Sequence, residues 1–417
     1  AIMPHVHFMG IGGVGMNGLA QLAVHHGYEV SGSDRGYQPQ TNPYRQLERI
    51  GIQINPQDGH HLPAGVERVV YSTAIEPDNP ELVYAQERNI PCLHRAEFLN
   101  QLIPTNAQLI AVAGTAGKTT TVGLLGYIFE QAGLNPTIYN GAAVLNWRND
   151  QHLGNVRCGK KNLWIIEADE SDRSLLHFNP THALLTNLGE DHYSLPELNH
   201  IFDQFRSQTQ SYFMDARTCE IYTPLPKNKL LGRHNQINIS NAIQFAIQLG
   251  IAKTIIQKAI TSFEGIERRL EKIGSFQNID IYDDYAHNPM KIEATMNALK
   301  EAYPQQTIHV IWRPHAFKSL VNQFDAYVDV FNTFLRDTNN SLSLLPVYYA
   351  GGTVEAEKTS EDLASALLEK DSRVNLFNTY DELHSYLIQN NPSIDILLGM
   401  GARDPQLPLF LRSLISC

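Results

Sequence analysis

The stretch Leu109-Ile-Ala-Val-Ala-Gly-Thr-Ala-Gly-Lys-Thr-Thr-Thr121 runs from an apolar segment into a glycine-rich turn, after which Lys118 and Thr119 begin a helical pattern. Glycines at 114 and 117 let consecutive backbone N–H groups surround phosphate oxygens, because no side chain stands in the way. The N-terminus of the following helix adds a favourable dipole. Lys118 would then contact the outer phosphates, and Thr119 would bind Mg2+. The stretch therefore predicts a strand, a phosphate-binding loop and a helix.

One position departs from the common phosphate-loop pattern. That pattern has a glycine, four further residues and then Gly-Lys, but Val112 stands where the first glycine is expected. On the short motif alone, an ordinary strand-to-helix turn that happens to contain Gly and Lys is the alternative. Residues elsewhere in the chain must decide between the two.

The composition is that of an ordinary globular protein. The chain has 417 residues, 43% of them hydrophobic and 18% charged, which is enough for two to three domains. A net charge of -11 without a Lys/Arg-rich run argues against nucleic acid as a partner. No membrane segment or export signal is expected, since no apolar run could span a bilayer and no basic region precedes an apolar one. The four cysteines form no C-x-x-C pair, which favours the cytoplasm.

A second glycine-rich turn lies near the N-terminus. A short strand at 6–10 leads into Gly10-Ile-Gly-Gly-Val-Gly15, and a further strand ends at Asp34, about 20 residues on. Alone, this beginning of a dinucleotide-type unit would suggest NAD. Because the later residues favour phosphoryl transfer over hydride transfer, another nucleotide diphosphate is the preferred ligand. A strand at 67–75 would bring Ser72 to the same crevice.

Strands and helices alternate along the chain, which predicts an α/β protein of three domains. We expect a Rossmann-like N-terminal domain at 1–105, a central P-loop ATPase-type domain at 106–262 and a Rossmann-like C-terminal domain at 263–417. Later strands are expected at 163–169, 183–187, 279–284, 307–312, 342–348 and 394–398, and helices near 289–303 and 359–370.

Acidic residues follow two of the expected central strands. Glu167-Ala-Asp-Glu-Ser-Asp172 ends the first strand, and Asp191-His192 follows the second. Carboxylates at these places could complete the oxygen ligands of Mg2+ on a triphosphate. A solvated acidic loop and a structural Asp-His pair are the alternatives for the segments taken singly. Beside a phosphate loop, both segments favour a metal-nucleotide site.

Seven segments of the chain follow one another in a recognisable order. They are Gly-Ile-Gly-Gly-Val-Gly-Met at 10–16, Ser-Thr-Ala-Ile-Glu-Pro-Asp-Asn-Pro-Glu at 72–81, His-Arg-Ala-Glu-Phe-Leu at 94–99, Gly-Thr-Ala-Gly-Lys-Thr-Thr-Thr at 114–121, Glu-Ala-Asp-Glu-Ser-Asp at 167–172, Gly-Arg-His-Asn at 232–235 and Asp-Asp-Tyr-Ala-His-Asn-Pro at 283–289. In this order the chain resembles the Mur ligases of peptidoglycan synthesis over nearly its full length.

This resemblance implies an ATP-dependent amide ligase that requires Mg2+. Family members activate a carboxylate with ATP to an acyl phosphate, and an amine then attacks the acyl carbon, leaving ADP and phosphate. The implied substrates are UDP-N-acetylmuramate and an amino acid, most simply L-alanine. The L-Ala-γ-D-Glu-diaminopimelate tripeptide is the alternative acceptor within the family. Outside it, the alternatives are a nicotinamide-dependent oxidoreductase and a non-catalytic nucleotide-binding protein.

The resemblance also implies roles for individual residues. The catalytic residues would be Lys118, Glu167, His192, Arg268 and His287. The metal ligands would be Thr119, Glu167 and His192. ATP would be bound by Gly114, Thr115, Gly117, Lys118, Thr119, Thr120, His234, Asn235, Asn238, Arg268 and Asp284. The UDP-sugar would contact Gly12, Gly13, Gly15, Asp34 and Ser72, and the amino-acid acceptor Tyr285, His287 and His315. Helix capping by the asparagines and a surface role for Arg268 are the structural alternatives.

Three positions depart from the pattern that the resemblance leads us to expect. Ala116 replaces a histidine in the phosphate loop, and Asn288 replaces the second histidine of Tyr-x-His-His-Pro. Ala316 replaces the arginine of Gln-Pro-His-Arg in the segment that begins at Trp312. Alanine cannot form the bidentate hydrogen bonds that arginine forms with a carboxylate. The amine acceptor is therefore the least determined part of the assignment.

Overall fold

The computed structural model describes residues 3–57, 62–171, 173–189, 193–337, 339–348, 358–367, 373–389 and 393–416. The chain forms two compact units. The first contains the chain up to residue 229 together with 235–266, and the second contains 230–234 and the chain from residue 267 onward. Within the described ranges, no helix is both long enough and apolar enough to cross a membrane.

The first sheet of the first unit is parallel throughout. Its strands are β1 (His5–Met9), β2 (Glu29–Asp34), β3 (Gln53–Pro56), β4 (Arg68–Tyr71) and β5 (Cys92–His94). They lie in the order β3-β2-β1-β4-β5. The strand order therefore reverses between β1 and β4, which is where an open parallel sheet forms its ligand crevice. The accompanying helices are α1 (Val14–His25), α2 (Tyr44–Arg49), α3 (Pro80–Glu87) and α4 (Arg95–Leu102).

The second sheet of the same unit has the phosphate-loop strand near its centre. Its strands are β6 (Gln108–Ala113), β7 (Pro136–Tyr139), β8 (Val156–Arg157), β9 (Lys160–Glu167), β10 (His182–Leu185) and β11 (Tyr212–Asp215). The order is β11-β10-β6-β9-β7-β8, parallel except for the β7-β8 pair. The helices are α5 (Lys118–Gln131), α6 (Leu195–Gln208), α7 (Arg233–Gln248) and α8 (Lys253–Ser262), with 3-10 turns at Ser174–His177 and Ala216–Thr218.

The second unit contains the third sheet. Its strands are β12 (Glu271–Phe276), β13 (Ile279–Asp284), β14 (Ile308–Trp312), β15 (Ser341–Leu344), β16 (Val374–Leu376) and β17 (Ile396–Met400). The order is β12-β13-β17-β14-β15-β16, with β12 antiparallel to β13 and the rest parallel. The helices are α9 (Pro289–Ala302), α10 (Phe317–Asn322), α11 (Phe324–Leu335), α12 (Ser360–Ala366), α13 (Tyr380–Gln389) and α14 (Gln406–Ile415).

Apolar burial holds each unit together. One continuous core runs through both sheets of the first unit and contains the fully buried Phe98, Trp164 and Phe205. The second unit has a core on each side of its sheet, with Trp312 and Phe331 on one side. Strands such as β6 and β14 are almost wholly apolar because both of their faces are covered.

Two of the predicted strands match the structure at both ends, and two others are shorter than predicted. The predictions for Glu29–Asp34 and Ile279–Asp284 match the structure at both ends. The strand expected at 342–348 instead ends at Leu344, two residues before Pro346, which has no N–H to donate to a neighbouring strand. The expected 67–75 strand ends at Tyr71, so Ser72 lies in a turn.

A buried histidine bridges two strands of the third sheet. The side chain of His309 in β14 is fully buried, and its Nδ1 and Nε2 lie 2.6 and 2.7 Å from the hydroxyl oxygens of Ser341 and Ser343 in β15. Burial lowers the pKa of His309 to about 4. The imidazole is therefore neutral in the folded protein at neutral pH.

We expect the free energy of unfolding of the second unit to fall by about 3 kcal/mol between pH 6.5 and pH 4 because of His309. The unfolded chain binds a proton below the ordinary pKa of 6.5, whereas the folded chain excludes it until about pH 4. The stabilisation is fully present above pH 6.5 and is lost on acidification. Urea unfolding followed by Trp312 fluorescence, in a chain carrying Trp147→Phe and Trp164→Phe, measures it. His309→Asn should remove this part of the pH dependence of the free energy of unfolding. The same pH dependence in the variant and in the wild type would contradict the prediction.

Candidate active site

The phosphate loop joins β6 to α5 in a conformation that requires glycine. Gly114 and Gly117 have φ angles of +138° and +83°. Residues that carry a Cβ atom rarely adopt such angles. A Cβ atom at Gly114 would clash with Thr186 Oγ1, and one at Gly117 would clash with Asn238 Oδ1. Helix α5 begins at Lys118 without a capping side chain, so its first N–H groups face the loop. This is the geometry of an anion-binding helix N-terminus.

Gly114→Ala should abolish ATP-dependent activity and lower the free energy of unfolding by more than about 1–2 kcal/mol. The substitution adds backbone strain and also a steric clash behind the loop. Gly133→Ala is the matched control, since Gly133 has a φ of +77° but open space around its Cβ position. Urea unfolding and ADP release measure the two effects. Equal losses in the two variants would show that the clash has no consequence.

The tip of the phosphate loop is held by hydrogen bonds to Thr186 and Asn187, which directly follow the neighbouring strand β10. The Ala116 carbonyl accepts hydrogen bonds from Thr186 Oγ1 at 2.7 Å and Asn187 Nδ2 at 3.1 Å, while the Ala116 N–H donates to Asn187 Oδ1 at 2.9 Å. Thr115 Oγ1 donates to the Gly189 carbonyl. The loop is therefore fixed through its backbone, and the missing side chain at Ala116 does not loosen it.

Lys118 is buried in an ion pair inside the loop. Its Nζ donates to the Gly114 carbonyl at 2.7 Å and to Glu170 Oε2 at 2.9 Å, and the two side chains are 12% and 6% exposed. Burial disfavours the ammonium, but Glu170, Glu167 and Asp169 outweigh it and raise the pKa of Lys118. Burial raises the pKa of Glu170 despite the lysine. Lys118 is thus a permanent positive charge at the place predicted for the outer phosphates.

Two of the three predicted metal ligands lie in contact. Thr119 Oγ1 donates to Glu167 Oε2 at 3.0 Å, and the same oxygen accepts from the Gly141 N–H at 2.7 Å. Asn140 supports both sides, since its Nδ2 donates to the Thr119 carbonyl and its Oδ1 accepts from Gly141. A hydroxyl and a carboxylate are hard oxygen donors of the kind that Mg2+ prefers.

The third predicted ligand, His192, lies outside the described residues, as do Asp172 and Asp191. Across the described ranges, no group of three or more His, Cys, Asp or Glu side chains could hold a metal ion by itself.

Two of the residues predicted to bind ATP, Asn235 and Asn238, lie in α7. Asn235 and Asn238 are both buried in α7, and Asn238 Nδ2 donates to Asn235 Oδ1 at 3.3 Å. Asn238 packs directly against Gly117. Thr120 is buried in the first turn of α5. The structure therefore brings Asn238 to the phosphate loop, while His234 belongs to the second unit.

The first glycine turn is fixed by Asp34. Its Oδ2 accepts the Gly12 N–H at 2.7 Å and its Oδ1 accepts the Gly36 N–H at 2.8 Å. Both carboxylate oxygens of Asp34 are thus committed to backbone groups. Gly13 is the N-cap of α1 and, having no side chain, leaves the first N–H groups of that helix uncapped.

The first glycine turn and the end of β9 border one cavity of about 280 Å3. Its lining residues are Gly13, Gly15, Met16, Ser72, Arg95, Tyr139, Asn140, Gly141, Glu167 and Asp169. Arg95 pairs with Asp169 at 3.5 Å, and Tyr139 Oη donates to the Gly15 carbonyl at 3.0 Å. The two sheets are therefore joined at the place where the glycine turn of the first meets the carboxylate edge of the second.

In the second unit, the two arginines of Gly265-Ile-Glu-Arg-Arg269 have different environments. Arg268 pairs with the buried Asp283 at 3.1 Å and donates to the Gly401 carbonyl at 2.6 Å. Arg269 is exposed and lies 5.7 Å from the centre of the Tyr285 ring. The predicted nucleotide role of Arg268 remains a prediction, and the geometry makes Arg269 the arginine with a guanidinium available to a ligand.

Asp284 is fully enclosed by its own unit. Its Oδ2 accepts the Leu270 N–H at 2.7 Å, and its Oδ1 accepts from the Ala286 N–H and from Thr295 Oγ1. Burial raises the pKa of Asp284. This carboxylate holds the end of β13 in place, and its predicted contact with ATP remains a prediction.

The three predicted acceptor residues lie together. The ring of His287 is 5.7 Å from that of Tyr285 and 5.4 Å from that of His315. Burial and the positive charge of Lys291 lower the pKa of His287 to about 4, and burial with Arg403 lowers the pKa of His315. Asn288 is the N-cap of α9, where its side chain accepts the Lys291 N–H at 2.9 Å.

Comparisons with known proteins agree on one family. Residues 5–106 match the family model "Mur ligase family, catalytic domain", 112–206 match "Mur ligase middle domain", and 268–403 match "Mur ligase, glutamate ligase domain". The UDP-N-acetylmuramate--L-alanine ligase of Neisseria gonorrhoeae is 32% identical over 95% of both chains. The chain belongs to the Mur ligase family.

Solved Mur ligase structures have the same fold. The UDP-N-acetylmuramate-alanine ligase of Thermotoga maritima superposes with a TM-score of 0.82 at 22% identity, covering 99% of this chain and 98% of the other. A murein peptide ligase of Psychrobacter arcticus has a TM-score of 0.69 at 21% identity, covering 98% and 99%. The predicted three-domain α/β fold is thereby confirmed.

Several residues of this Mur ligase site were not predicted individually. Glu170 belongs to the acidic segment, and Arg95 to the His-Arg-Ala-Glu-Phe-Leu segment, yet neither was given a role. Tyr139 ends β7, a short strand that was not predicted, and Asn140 and Gly141 follow it. The available signal was the polar pair Asn-Gly directly after Ile138-Tyr139.

Proposed function

We propose that this Mur ligase uses ATP and Mg2+ to join the carboxylate of UDP-N-acetylmuramate to the amino group of L-alanine, through an acyl phosphate. The observation that carries the proposal is the cavity bordered by the first glycine turn and by Glu167. Phosphoryl transfer from one nucleotide to a group on another requires both to be held within reacting distance. The cavity supports the proposal because Glu167, which borders it, accepts a hydrogen bond from Thr119 at the start of α5.

In this proposal the central loop binds the ATP phosphates. The backbone N–H groups from Gly114 to Thr120 would surround the phosphate oxygens, and Lys118 would exchange Glu170 for the outer phosphates. Thr119 and Glu167 would hold Mg2+, with His192 as a further ligand. When bound, Mg2+ neutralises charge that accumulates on the phosphates during transfer.

The first glycine turn would bind the diphosphate of the UDP-sugar. Its N–H groups around Gly13 and the N-terminus of α1 suit a diphosphate. NAD is disfavoured because the acidic residue of a dinucleotide fold binds the ribose hydroxyls, whereas Asp34 already accepts the N–H groups of Gly12 and Gly36. Ser72 and Arg95 would face the substrate from the cavity wall.

The amine acceptor is assigned to the second unit. The acceptor site would consist of Tyr285, His287 and His315, with Arg269 beside them. His287 is the candidate for the residue that takes the proton from the attacking amine. Ala316 supports a second candidate function, in which the acceptor is the L-Ala-γ-D-Glu-diaminopimelate tripeptide, since no arginine stands at that position. We also propose domain boundaries near 106 and 263 and a cytoplasmic location.

ADP release tests the proposal. The enzyme would be supplied with ATP, Mg2+ and UDP-N-acetylmuramate, and then with L-alanine, glycine, L-serine or the tripeptide in separate reactions. We expect release that depends on both the sugar nucleotide and L-alanine. ADP release with the tripeptide but not with L-alanine would make the tripeptide the acceptor. NADH binding without UDP-sugar binding would contradict the proposed ligase function.

A further inference from the structure

Three neighbouring strands of the third sheet end at the same edge. In the sheet order, β17 lies between β13 and β14. The Gly401 N–H donates to the Asp284 carbonyl at 3.3 Å, and the Arg313 N–H donates to the Met400 carbonyl at 3.1 Å. The segments that follow the three strands therefore leave the sheet side by side. In open parallel sheets, such carboxyl ends form the ligand crevice.

Each of these three segments brings a chemical group to the edge. His287 follows β13, His315 follows β14, and Arg403 follows β17. The two imidazoles are in ring contact at 5.4 Å. Arg403 lies close enough to His315 for its charge to act on that ring. The edge therefore presents two neutral imidazoles with an arginine beside them.

Arg403 differs from the other arginine at this edge. Arg313 lies between the rings of Tyr348 and Tyr380 and pairs with the buried Asp404 at 3.4 Å. Arg403 is exposed and, in the part of the chain that the structure describes, forms no hydrogen bond or ion pair. Of these two arginines, Arg403 is therefore the one whose guanidinium has no partner among the described residues.

The charges around the two imidazoles are positive. Lys291 and Arg269 are the main side-chain charges acting on His287, and Arg403 is the one acting on His315. Among the described residues, no carboxylate is recorded acting on either ring. Asp404, the carboxylate next to Arg403, is already paired with Arg313, so this positive, partly buried edge favours a ligand that carries an anion.

We propose that Arg403 binds the carboxylate of the amino-acid acceptor next to the His315 ring. It would thereby take the place of the arginine that the family pattern has at the position of Ala316. This inference rests on the proposed ligase function, because it assigns the acceptor to this edge. An arginine fork forms two parallel hydrogen bonds with a carboxylate, which fixes the orientation of the attacking amine. Lys318, exposed on α10, offers only a point charge.

Steady-state kinetics of Arg403→Ala tests the role of the residue. We expect KM for L-alanine to rise about 10- to 100-fold, since a hydrogen-bonded pair of charges is removed. KM for ATP and for UDP-N-acetylmuramate should stay within about twofold. Hydroxylamine, which has no carboxylate, should react with the acyl phosphate at similar rates in both enzymes. Arg336→Ala, an exposed arginine at the end of α11, is the matched control and should leave all values unchanged.

A binding measurement makes the inference independent of turnover. The His315 imidazole resonances would be followed by NMR while L-alanine, L-alaninamide or the tripeptide is added to the wild-type chain. We expect a shift with L-alanine or the tripeptide, none with L-alaninamide, and none in Arg403→Ala. No shift with either carboxylate in the wild type, or an unchanged KM in Arg403→Ala, would overturn the inference. Absence of sugar-dependent ADP release would instead overturn the proposed function.

Discussion

Lys118→Ala should lower ADP release by about 10³-fold while UDP-N-acetylmuramate still binds. The lysine lies at the start of α5, where the outer phosphates of ATP are expected, and the sugar nucleotide is assigned to the other sheet of the first unit. ADP release and equilibrium binding of the UDP-sugar measure the two effects separately. Unchanged turnover would refute the role of Lys118.

The same substitution should also destabilise the protein, which has to be separated from the loss of catalysis. Lys118 Nζ is the only ion-pair partner recorded for Glu170 among the described residues, and Glu170 is only 6% exposed. Removing one member of a buried pair leaves the other charge uncompensated, at a cost of about 3 kcal/mol. Urea unfolding should show this loss in Lys118→Ala.

Lys118→Met with Glu170→Gln is the control that separates the two effects. It removes both charges while it keeps the volume of both side chains, and such exchanges are often neutral for stability. We expect this double variant to recover most of the lost free energy of unfolding without recovering activity. Recovery of activity together with stability would show that Lys118 acts only through folding.

The parts of the fold that could be predicted from the sequence are those with strong local patterns. The apolar run that ends at Gly114 predicted β6, which is buried on both faces, and the distance of about 20 residues from the first glycine turn to Asp34 predicted β2. Short strands such as β5 and β16 have three residues each. Their runs are too short to show a period, so the sheet and not the local sequence determines them.

The carboxylates of the candidate site show where sequence reasoning ends. The Gly and Asp pattern predicted that Asp34 ends β2, but not that its carboxylate oxygens accept the backbone N–H groups of Gly12 and Gly36. The same holds for Asp284. A sequence pattern gives the type of a side chain and its place on a strand end. Which partner it takes depends on tertiary contacts.

The contacts that join the two sheets of the first unit are also tertiary. Arg95 and Asp169 are 74 residues apart, and Gly15 and Tyr139 are 124 residues apart. They meet because the two sheets of the first unit share one core. No periodicity within either segment could predict that meeting.

Glu167→Gln should lower the rate of ADP release by about 10²- to 10³-fold and raise the Mg2+ concentration needed for half-maximal rate. The amide keeps an oxygen that can still accept the Thr119 hydroxyl and the Gly141 N–H, so the free energy of unfolding should change little. What the variant loses is the negative charge beside Thr119, and a neutral amide is a weaker ligand for Mg2+ than a carboxylate.

The matched control is Glu130→Gln, which removes a carboxylate of the same unit that pairs with Arg157 outside the cavity. It should leave the Mg2+ dependence unchanged. ADP release measured over a range of Mg2+ concentrations compares the two variants with the wild type. If Glu167→Gln keeps the wild-type Mg2+ dependence, Glu167 does not bind the metal, and its hydrogen bonds to Thr119 and Gly141 then serve only to order the loop. If it loses activity and keeps its stability, the charge of Glu167 acts in the reaction, since both of those hydrogen bonds survive the substitution.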